Sequence, residues 1–192
     1  ACSGVLGRYE EALYLLDRVR EAMPKDATTV YLRARAISEL GDLDRALTSY
    51  QEALKLDPAF AAAHVQRAVV LRYLQRVEEA SKDEQAAFAL LGDALRQDPA
   101  NAFAMRQRAR LFWDLGRFDE ALADWERVVE RDDRDVFGLG NLALLLAAHP
   151  DAKKRDGRKA LALATKLTEL TLGKGAFWLS VRAAAHAETG DF

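Results

Sequence analysis

The chain has 192 residues, of which 50% are hydrophobic and 30% charged, and its formal net charge is -2. This length and apolar content are sufficient for a packed core and exclude a disordered tail. The small net charge gives no global field of the kind that marks a nucleic-acid-binding or membrane-surface protein. The one cysteine, Cys2, excludes an internal disulfide and a multi-cysteine metal site.

The beginning of the sequence bears on localisation. The residues ACSG match the cut end of a bacterial lipoprotein signal, in which a small residue precedes a lipid-bearing cysteine. The apolar segment that such a signal requires is not part of the sequence, and no run of about 18 apolar residues predicts a membrane span. We therefore favour a cytoplasmic location, and a lipoprotein or periplasmic origin stays open.

A unit of sequence recurs along the chain, as LGRYEEALYLLDRVREAM from Leu6, LGDLDRALTSYQEALKLD from Leu40 and LGRFDEALADWERVVERD from Leu115. Two series of alanines have nearly the same spacing, which is 34, 41, 34 and 40 residues in one and 34, 34, 41 and 39 in the other. A period near 34 predicts a helix, a tight turn and a second helix, stacked on copies of itself. The two series are Ala34, Ala68, Ala109, Ala143 and Ala183, and Ala12, Ala46, Ala80, Ala121 and Ala160.

The period divides the chain into repeats, each with a first and a second helix. We predict a second helix alone at 6–26, full repeats at 27–60, 61–101, 102–135 and 136–175, and a first helix alone at 176–192. Glycines mark the predicted turns and prolines the ends of second helices. These residues are Gly7, Gly41 and Gly116, and Pro24, Pro58 and Pro99.

Two repeats depart from the period. In the repeat 61–101, seven extra residues predict one elongated second helix over 77–98, in which Gly92 is a point of weakness. In the repeat 136–175, the segment AAHPDAKKRDGRKA adds a basic loop after Pro150. This loop is interpreted either as solvated or as a site for phosphate or an acidic partner.

The ends of the sequence resemble cuts through a longer array. The segment that Gly7 opens has no first helix before it, and Phe192 falls where a last second helix would begin. Arrays of this kind require polar capping helices, and neither end shows one. We therefore expect exposed apolar surface around Phe177, Trp178 and Val181.

The repeat AISELGDLDRALTSYQEALKLDP resembles the tetratricopeptide repeat, which has a small residue in the first helix, a Gly-x-x-x-x-Ala turn, a later aromatic and a closing proline. RLFWDLGRFDEALADWERVVERD has the same pattern, with Asp133 in place of the proline. The block LALLLAAHPDAKKRDGRKALALA is similar to a variant unit of some bacterial members. The resemblance implies an all-α fold, a right-handed α-solenoid of antiparallel helix pairs whose first helices line a concave groove.

The sequence gives no indication of catalysis, a metal or a cofactor. The histidines, His64, His149 and His186, fall in different repeats and lack partners at metal-ligand spacing. Pairs of acidic residues such as Asp119 and Glu120 lie in the first turn of second helices, where the helix dipole stabilises them. We therefore expect a protein that is not an enzyme.

Charge is divided between the two types of helix. The first helices at 27–40, 61–74 and 102–115 carry a net charge of +5, and their second helices carry -7. Arg33, Arg67, Arg108 and Arg182 share a column where the family has leucine, so we expect their stems to pack inside and their heads to pair with acids such as Asp83 or Asp124. The predicted groove residues are Tyr31, Arg35, Arg72, Phe103, Arg106, Arg110 and Trp113.

These observations favour a scaffold that binds a protein segment, and a basic groove favours an acidic one. For the four groove arginines, contact with a ligand and simple solvation stay open. A second hypothesis is self-assembly into homo-oligomers through the open ends of the array. A third is RNA binding, as in helical repeats with a 35-residue period, although the groove columns lack the polar base-reading pairs of such repeats.

Overall fold

A computed structural model of the chain describes the backbone of residues 2–172 and 176–189, and the side chains of residues 7–172 and 180–188. All the regular structure in these ranges is helical, which confirms the predicted all-α helical repeat fold. Ten α-helices and one 3-10 helix, Ala152–Lys154, lie in the described ranges. The α-helices are α1 (Cys2–Ala22), α2 (Ala27–Glu39), α3 (Leu43–Leu56), α4 (Ala61–Tyr73), α5 (Val77–Gln97), α6 (Ala102–Asp114), α7 (Phe118–Arg131), α8 (Val136–Ala148), α9 (Gly157–Leu170) and α10 (Ala176–Thr189).

The chain forms two compact units, an N-terminal unit, Ala1–Asp93, and a C-terminal unit, Ala94–Phe192. In the N-terminal unit α1 packs on α2, α2 on α3 and α3 on α4. In the C-terminal unit α6 packs on α7, α7 on α8, α8 on α9, and α10 on both α8 and α9. The handedness of the array stays a prediction.

The alanine columns lie where helices cross. Each alanine from the second to the fifth member of the second series is fully buried, and so are Ala34, Ala109 and Ala143 of the first series. Small side chains at these crossings let helix axes approach to about 8–10 Å. The last member of the first series was predicted wrongly, because Ala183 is exposed and Ala185 is buried in its place.

This change of register moves the last helix by two residues. Val181 lies four residues before Ala185, just as Val30 lies four before Ala34, and both valines are fully buried. The expected exposure of Val181 is therefore wrong, because its side chain packs with Ala143 and Ala164. Phe177 and Trp178 lie outside the residues whose side chains the structure describes.

Three interhelical turns have the same left-handed geometry. Gly41 has φ 87° and Gly116 has φ 71°, which confirms the role predicted for these two glycines. The third turn has Gln75 at φ 60°, where a side chain costs about 1–2 kcal/mol relative to glycine. In each turn the following amide donates to a carbonyl five residues back, as Asp42 N–H does to Ile37 O at 3.3 Å.

Gly7 does not mark such a turn. The helix α1 begins at Cys2 and continues through Gly7, so the prediction that Gly7 opens a second helix is wrong. The segment LGRYEEAL has the same residue pattern as the segments that form turns at Gly41 and Gly116. Here the backbone around Gly7 lies inside one continuous helix.

Both departures from the period have the local structure that we expected. The elongated second helix is continuous as α5, and Gly92 lies within it. α8 ends at Ala148, just before His149 and Pro150, and the added residues form the 3-10 helix and the connection to α9. No helix in the described part of the chain has the length and apolar character that a bilayer crossing requires.

Candidate protein-interaction face

The predicted groove residues of the N-terminal unit fall in different environments. Tyr31 is only 7% exposed, and its ring packs against Phe60 and Tyr50 at centroid distances of 4.8 and 6.1 Å. Tyr31 therefore belongs to the core, whereas we predicted from the sequence that it lies on the surface of the groove. Arg35 is exposed, and its guanidinium carbon lies 5.9 Å from the centre of the Tyr31 ring.

Arg72 is held by an acidic residue of the next helix. Its guanidinium donates two hydrogen bonds to Glu84 of α5, the longer at 2.8 Å, and the Glu84 side chain is buried. These hydrogen bonds raise the pKa of Arg72. Arg72 is therefore neither an idle solvated charge nor an unpaired contact for a ligand.

The two predicted groove arginines of the C-terminal unit are also paired within the chain. Arg106 donates to Asp135, whose carboxylate also accepts the Gly138 amide at 2.7 Å and so caps α8. Arg110 contacts Asp114 one turn along the same helix, at 2.9 Å. Burial raises the pKa of Asp114, and the positive charge of Arg110 opposes this rise.

The aromatic side chains give the C-terminal unit an exposed face. Phe103 is 50% exposed near the beginning of α6. Phe137, which we did not predict from the sequence, is 65% exposed near the beginning of α8. Trp113 is half-buried, and its ring meets the Phe118 ring edge-on at a centroid distance of 5.5 Å.

Phe103 and Phe137 occupy the same place in successive first helices. They are 34 residues apart, and each buried residue of α6 has a buried counterpart 34 residues later in α8. The two helices therefore present the same face to the core, and both phenylalanines point away from it. Their spacing, equal to the repeat period, was the signal that could have identified Phe137. The buried residues compared are Ala104, Met105, Ala109, Leu111 and Phe112 of α6, and Gly138, Leu139, Ala143, Leu145 and Leu146 of α8.

A second set of arginines forms ion pairs between first helices and second helices. Arg67 donates two hydrogen bonds to Asp83, each at 2.7 Å, and Arg108 does the same with Asp124. Both aspartates are buried, so the predicted arginine pairing with Asp83 and Asp124 is confirmed.

Asp83 has a second partner, His64. His64 Nδ1 lies 2.7 Å from Asp83 Oδ1, so one buried carboxylate joins α4 and α5 through two side chains. Burial raises the pKa of Asp83, but the hydrogen bonds from His64 and Arg67 outweigh burial and lower it below its usual value. The carboxylate is therefore held in its charged form.

The other two members of the predicted arginine column differ. Arg33 donates to Asp17 of α1 at 2.6 Å and to Ser49 at 3.1 Å, so its main partner lies on the preceding helix. Arg182 is exposed because α10 is shifted by two residues, and the prediction that its stem packs inside is wrong. Among the residues whose side chains are described, no group of three or more His, Cys, Asp or Glu residues could hold a metal ion.

Family models agree with this helix-pair architecture. A TPR repeat model matches residues 34–75, and a tetratricopeptide repeat model matches residues 83–135 and 106–166. The chain is a tetratricopeptide repeat (TPR) protein. TPR repeats generally mediate protein–protein interaction, and scaffolds of this family are generally non-enzymatic.

Relatives of the TPR chain share parts of its sequence or its fold. It is 34% identical over 76 residues to the TPR repeat-containing thioredoxin TTL4 of Arabidopsis thaliana and 38% identical over 64 residues to the TPR repeat-containing protein MJ1345 of Methanocaldococcus jannaschii. These stretches cover 40% and 33% of the chain, and 11% and 20% of the relatives. The structure of TTC0263, a thermophilic TPR protein of Thermus thermophilus, matches 96% of the chain and 92% of its own length, with TM-score 0.69 and 24% identity, and shows the fold alone.

Proposed function

We propose that this TPR protein is a non-enzymatic scaffold that binds a partner segment on the first-helix face of its C-terminal unit. The observation that carries the proposal is the pair of exposed phenylalanines, Phe103 and Phe137, at one position of two successive repeats. Large aromatic side chains supply much of the contact area at protein interfaces. Here they stand on helices fixed by packing, so little ordering is required when the partner binds.

The ion pairs modify the expected chemistry of the partner. An acidic segment would compete with Glu84 for Arg72 and with Asp135 for Arg106, because both arginines already contact buried carboxylates. Arg110 lies seven residues after Phe103 in α6 and is exposed, and its partner, Asp114, is only partly buried. It is therefore the guanidinium best placed for a carboxylate of the partner. We propose that apolar contact dominates the affinity and that Arg110 adds orientation.

Substitution of both phenylalanines tests this face. Peptides selected from a random phage-displayed library on the wild-type chain should bind the Phe103→Ala/Phe137→Ala variant about tenfold or more weakly, because each truncation removes aromatic contact area. Their affinity should change only about twofold between about 0.05 and 0.5 M salt, since apolar contacts are not screened. Fluorescence anisotropy of labelled synthetic peptides measures both quantities.

Tyr73→Ala is the matched control, because Tyr73 is a highly exposed aromatic residue of the N-terminal unit. It should leave the peptide affinities unchanged. Equal affinity for the double variant and the wild type would refute the proposed face, and so would a library that yields no binding peptide.

Self-association is a second candidate function, because α1 exposes apolar side chains. Tyr14, Leu15, Val19 and Met23 are exposed in or directly after α1. Burying such a stripe against a second copy would remove apolar surface from water. Sedimentation equilibrium should then show a mass that rises with concentration, and Leu15→Glu should keep the chain monomeric. A wild-type chain that is monomeric up to about 0.1 mM would exclude this candidate.

A further inference from the structure

The basic loop between α8 and α9 has a fixed backbone. The Asp156 amide donates to Leu146 O at 2.9 Å, and Arg155 Nε donates to His149 O at 2.7 Å. Lys154 Nζ lies 2.5 Å from an oxygen of Asp119, whose pKa this contact lowers. These contacts hold the loop backbone and the Lys154 and Arg155 side chains in place, so the exposed Lys153 and Arg158 extend from fixed backbone positions.

These side chains surround an open cavity of about 530 Å³. Two of the charged residues around the cavity already have partners. Lys154 contacts Asp119, and the Asp156 carboxylate accepts a hydrogen bond from the Lys159 amide and so caps α9. Lys153 and Arg158 have no ion-pair partner among the described residues. The charged residues that line the cavity are Lys153, Lys154, Arg155, Arg158, Asp156 and Glu188.

Arg155 is only partly paired. Its Nε is satisfied by the carbonyl of His149, while its Nη1 lies 3.7 Å from Glu188, which is longer than a good hydrogen bond. One end of the guanidinium therefore remains available to an acceptor that comes closer than Glu188. Three cations, Lys153, Arg155 and Arg158, thus face one cavity with only partial neutralisation.

We propose that this cavity is a binding site for a phosphate group. Apart from Gly157, every residue that lines the cavity is charged, so charge and hydrogen bonds must supply recognition. A guanidinium and ammonium groups around one position suit the tetrahedral dianion of a phosphate, which accepts several charge-assisted hydrogen bonds. The phosphate can come from inorganic phosphate or from a phosphorylated side chain of a protein segment.

The site is separate from the peptide face in its residues and in its test. Titration of the ¹⁵N-labelled full chain with inorganic phosphate, followed by amide chemical shifts, should give saturable changes in residues 153–159 with a dissociation constant of about 1 mM or lower. The Lys153→Gln/Arg158→Gln variant should bind about tenfold more weakly, because the two unpaired cations are removed. Glu188→Gln should bind more tightly, since it leaves Arg155 without its intramolecular competitor.

Controls separate a built site from general attraction of anions. The Lys25→Gln/Lys55→Gln variant loses the same charge in the N-terminal unit and should bind phosphate like the wild type. Sodium chloride at matched ionic strength should not shift residues 153–159. A phosphoserine peptide that binds about tenfold more tightly than inorganic phosphate identifies a phosphorylated partner as the source, and equal binding identifies the free ion. Shifts that do not saturate, or equal weakening in both double variants, would overturn the proposal.

Discussion

Replacement of Arg108 by leucine should destabilise the C-terminal unit by about 3 kcal/mol. In the folded chain Arg108 donates two hydrogen bonds to Asp124, and the aspartate side chain is only 4% exposed. Removal of the guanidinium leaves a carboxylate that is buried without its counter-ion. Arg108 itself is 24% exposed, so its own desolvation is smaller and the larger effect comes from the stranded Asp124.

The next repeat of the same unit indicates how the loss can be reversed. By the spacing of the alanine columns, Leu142 stands at the position of Arg108 and Leu163 at the position of Asp124. Leu142 is buried, and Leu163 packs against the cluster of Ala143, Ala164 and Val181. The Arg108→Leu/Asp124→Leu variant should therefore unfold with a free energy within about 1 kcal/mol of the wild type, because well-packed apolar pairs replace buried ion pairs at little cost.

A double-mutant cycle measures this coupling. Urea denaturation followed by circular dichroism gives the free energy of unfolding for the wild type, both single variants and the double variant. Arg45→Leu is the control, because Arg45 and Asp42 form an exposed pair whose loss should cost about 0.5 kcal/mol or less. Additive effects of Arg108→Leu and Asp124→Leu would show that the pair does not act as a unit.

Sequence reasoning identified the arginine pairs for a physical reason. A charged residue in a column of small and apolar residues must find a counter-ion inside the stack, and Asp83 and Asp124 stand three residues after the buried Ala80 and Ala121. The repeat period and the elongated α5 were predictable in the same way, since each depends on contacts that recur along the chain.

The candidate site was less predictable because pairing depends on distances that the repeat register does not fix. Arg72 and Arg106 lie on first helices, and their carboxylates, Glu84 and Asp135, come from different structural positions. One is in the middle of a second helix, and the other caps a first helix. Counting charge by helix type therefore overstated the free positive charge of the predicted groove.

Terminal elements were also difficult to place from the pattern. Ala183 follows its column by count, yet α10 buries Val181 and Ala185 instead. The three consecutive alanines in VRAAAHA allow more than one register, and packing of α10 against α8 and α9 selects the one that buries Ala185.

Substitution of Gly138 by alanine should destabilise the C-terminal unit by about 2 kcal/mol, even though alanine has a higher helix propensity. A Cβ at this position would lie 2.8 Å from Val128 Cγ1 and 3.2 Å from Val129 Cγ2. Val128 is fully buried and has a branched side chain with few accessible rotamers, so it cannot move aside. Relief requires α8 to move away from α7.

Gly7→Ala is the matched control, because Gly7 also lies within a helix, but beyond the backbone of that helix and the adjacent residues no atom would lie within 4 Å of the added Cβ. It should stabilise the chain by up to about 1 kcal/mol through helix propensity alone. Val128→Ala removes the clash with the new Cβ but creates a cavity of its own. The Gly138→Ala/Val128→Ala variant should therefore be destabilised by less than the sum of the two single effects. Thermal and urea unfolding of these variants measure the differences, and a stabilised Gly138→Ala chain would contradict the close approach.

The same substitution links packing to the proposed interaction face. Phe137 immediately precedes Gly138, and the Gly138 amide donates to Asp135, which also holds Arg106. A displacement of α8 would therefore move Phe137 relative to Phe103 and disturb the Arg106 pair together. We expect Gly138→Ala to weaken peptides that contact both phenylalanines more than peptides that contact Phe103 alone, which anisotropy with shortened peptides can resolve. Equal weakening of both classes would mean that the variant acts through global stability rather than through the spacing of the two phenylalanines.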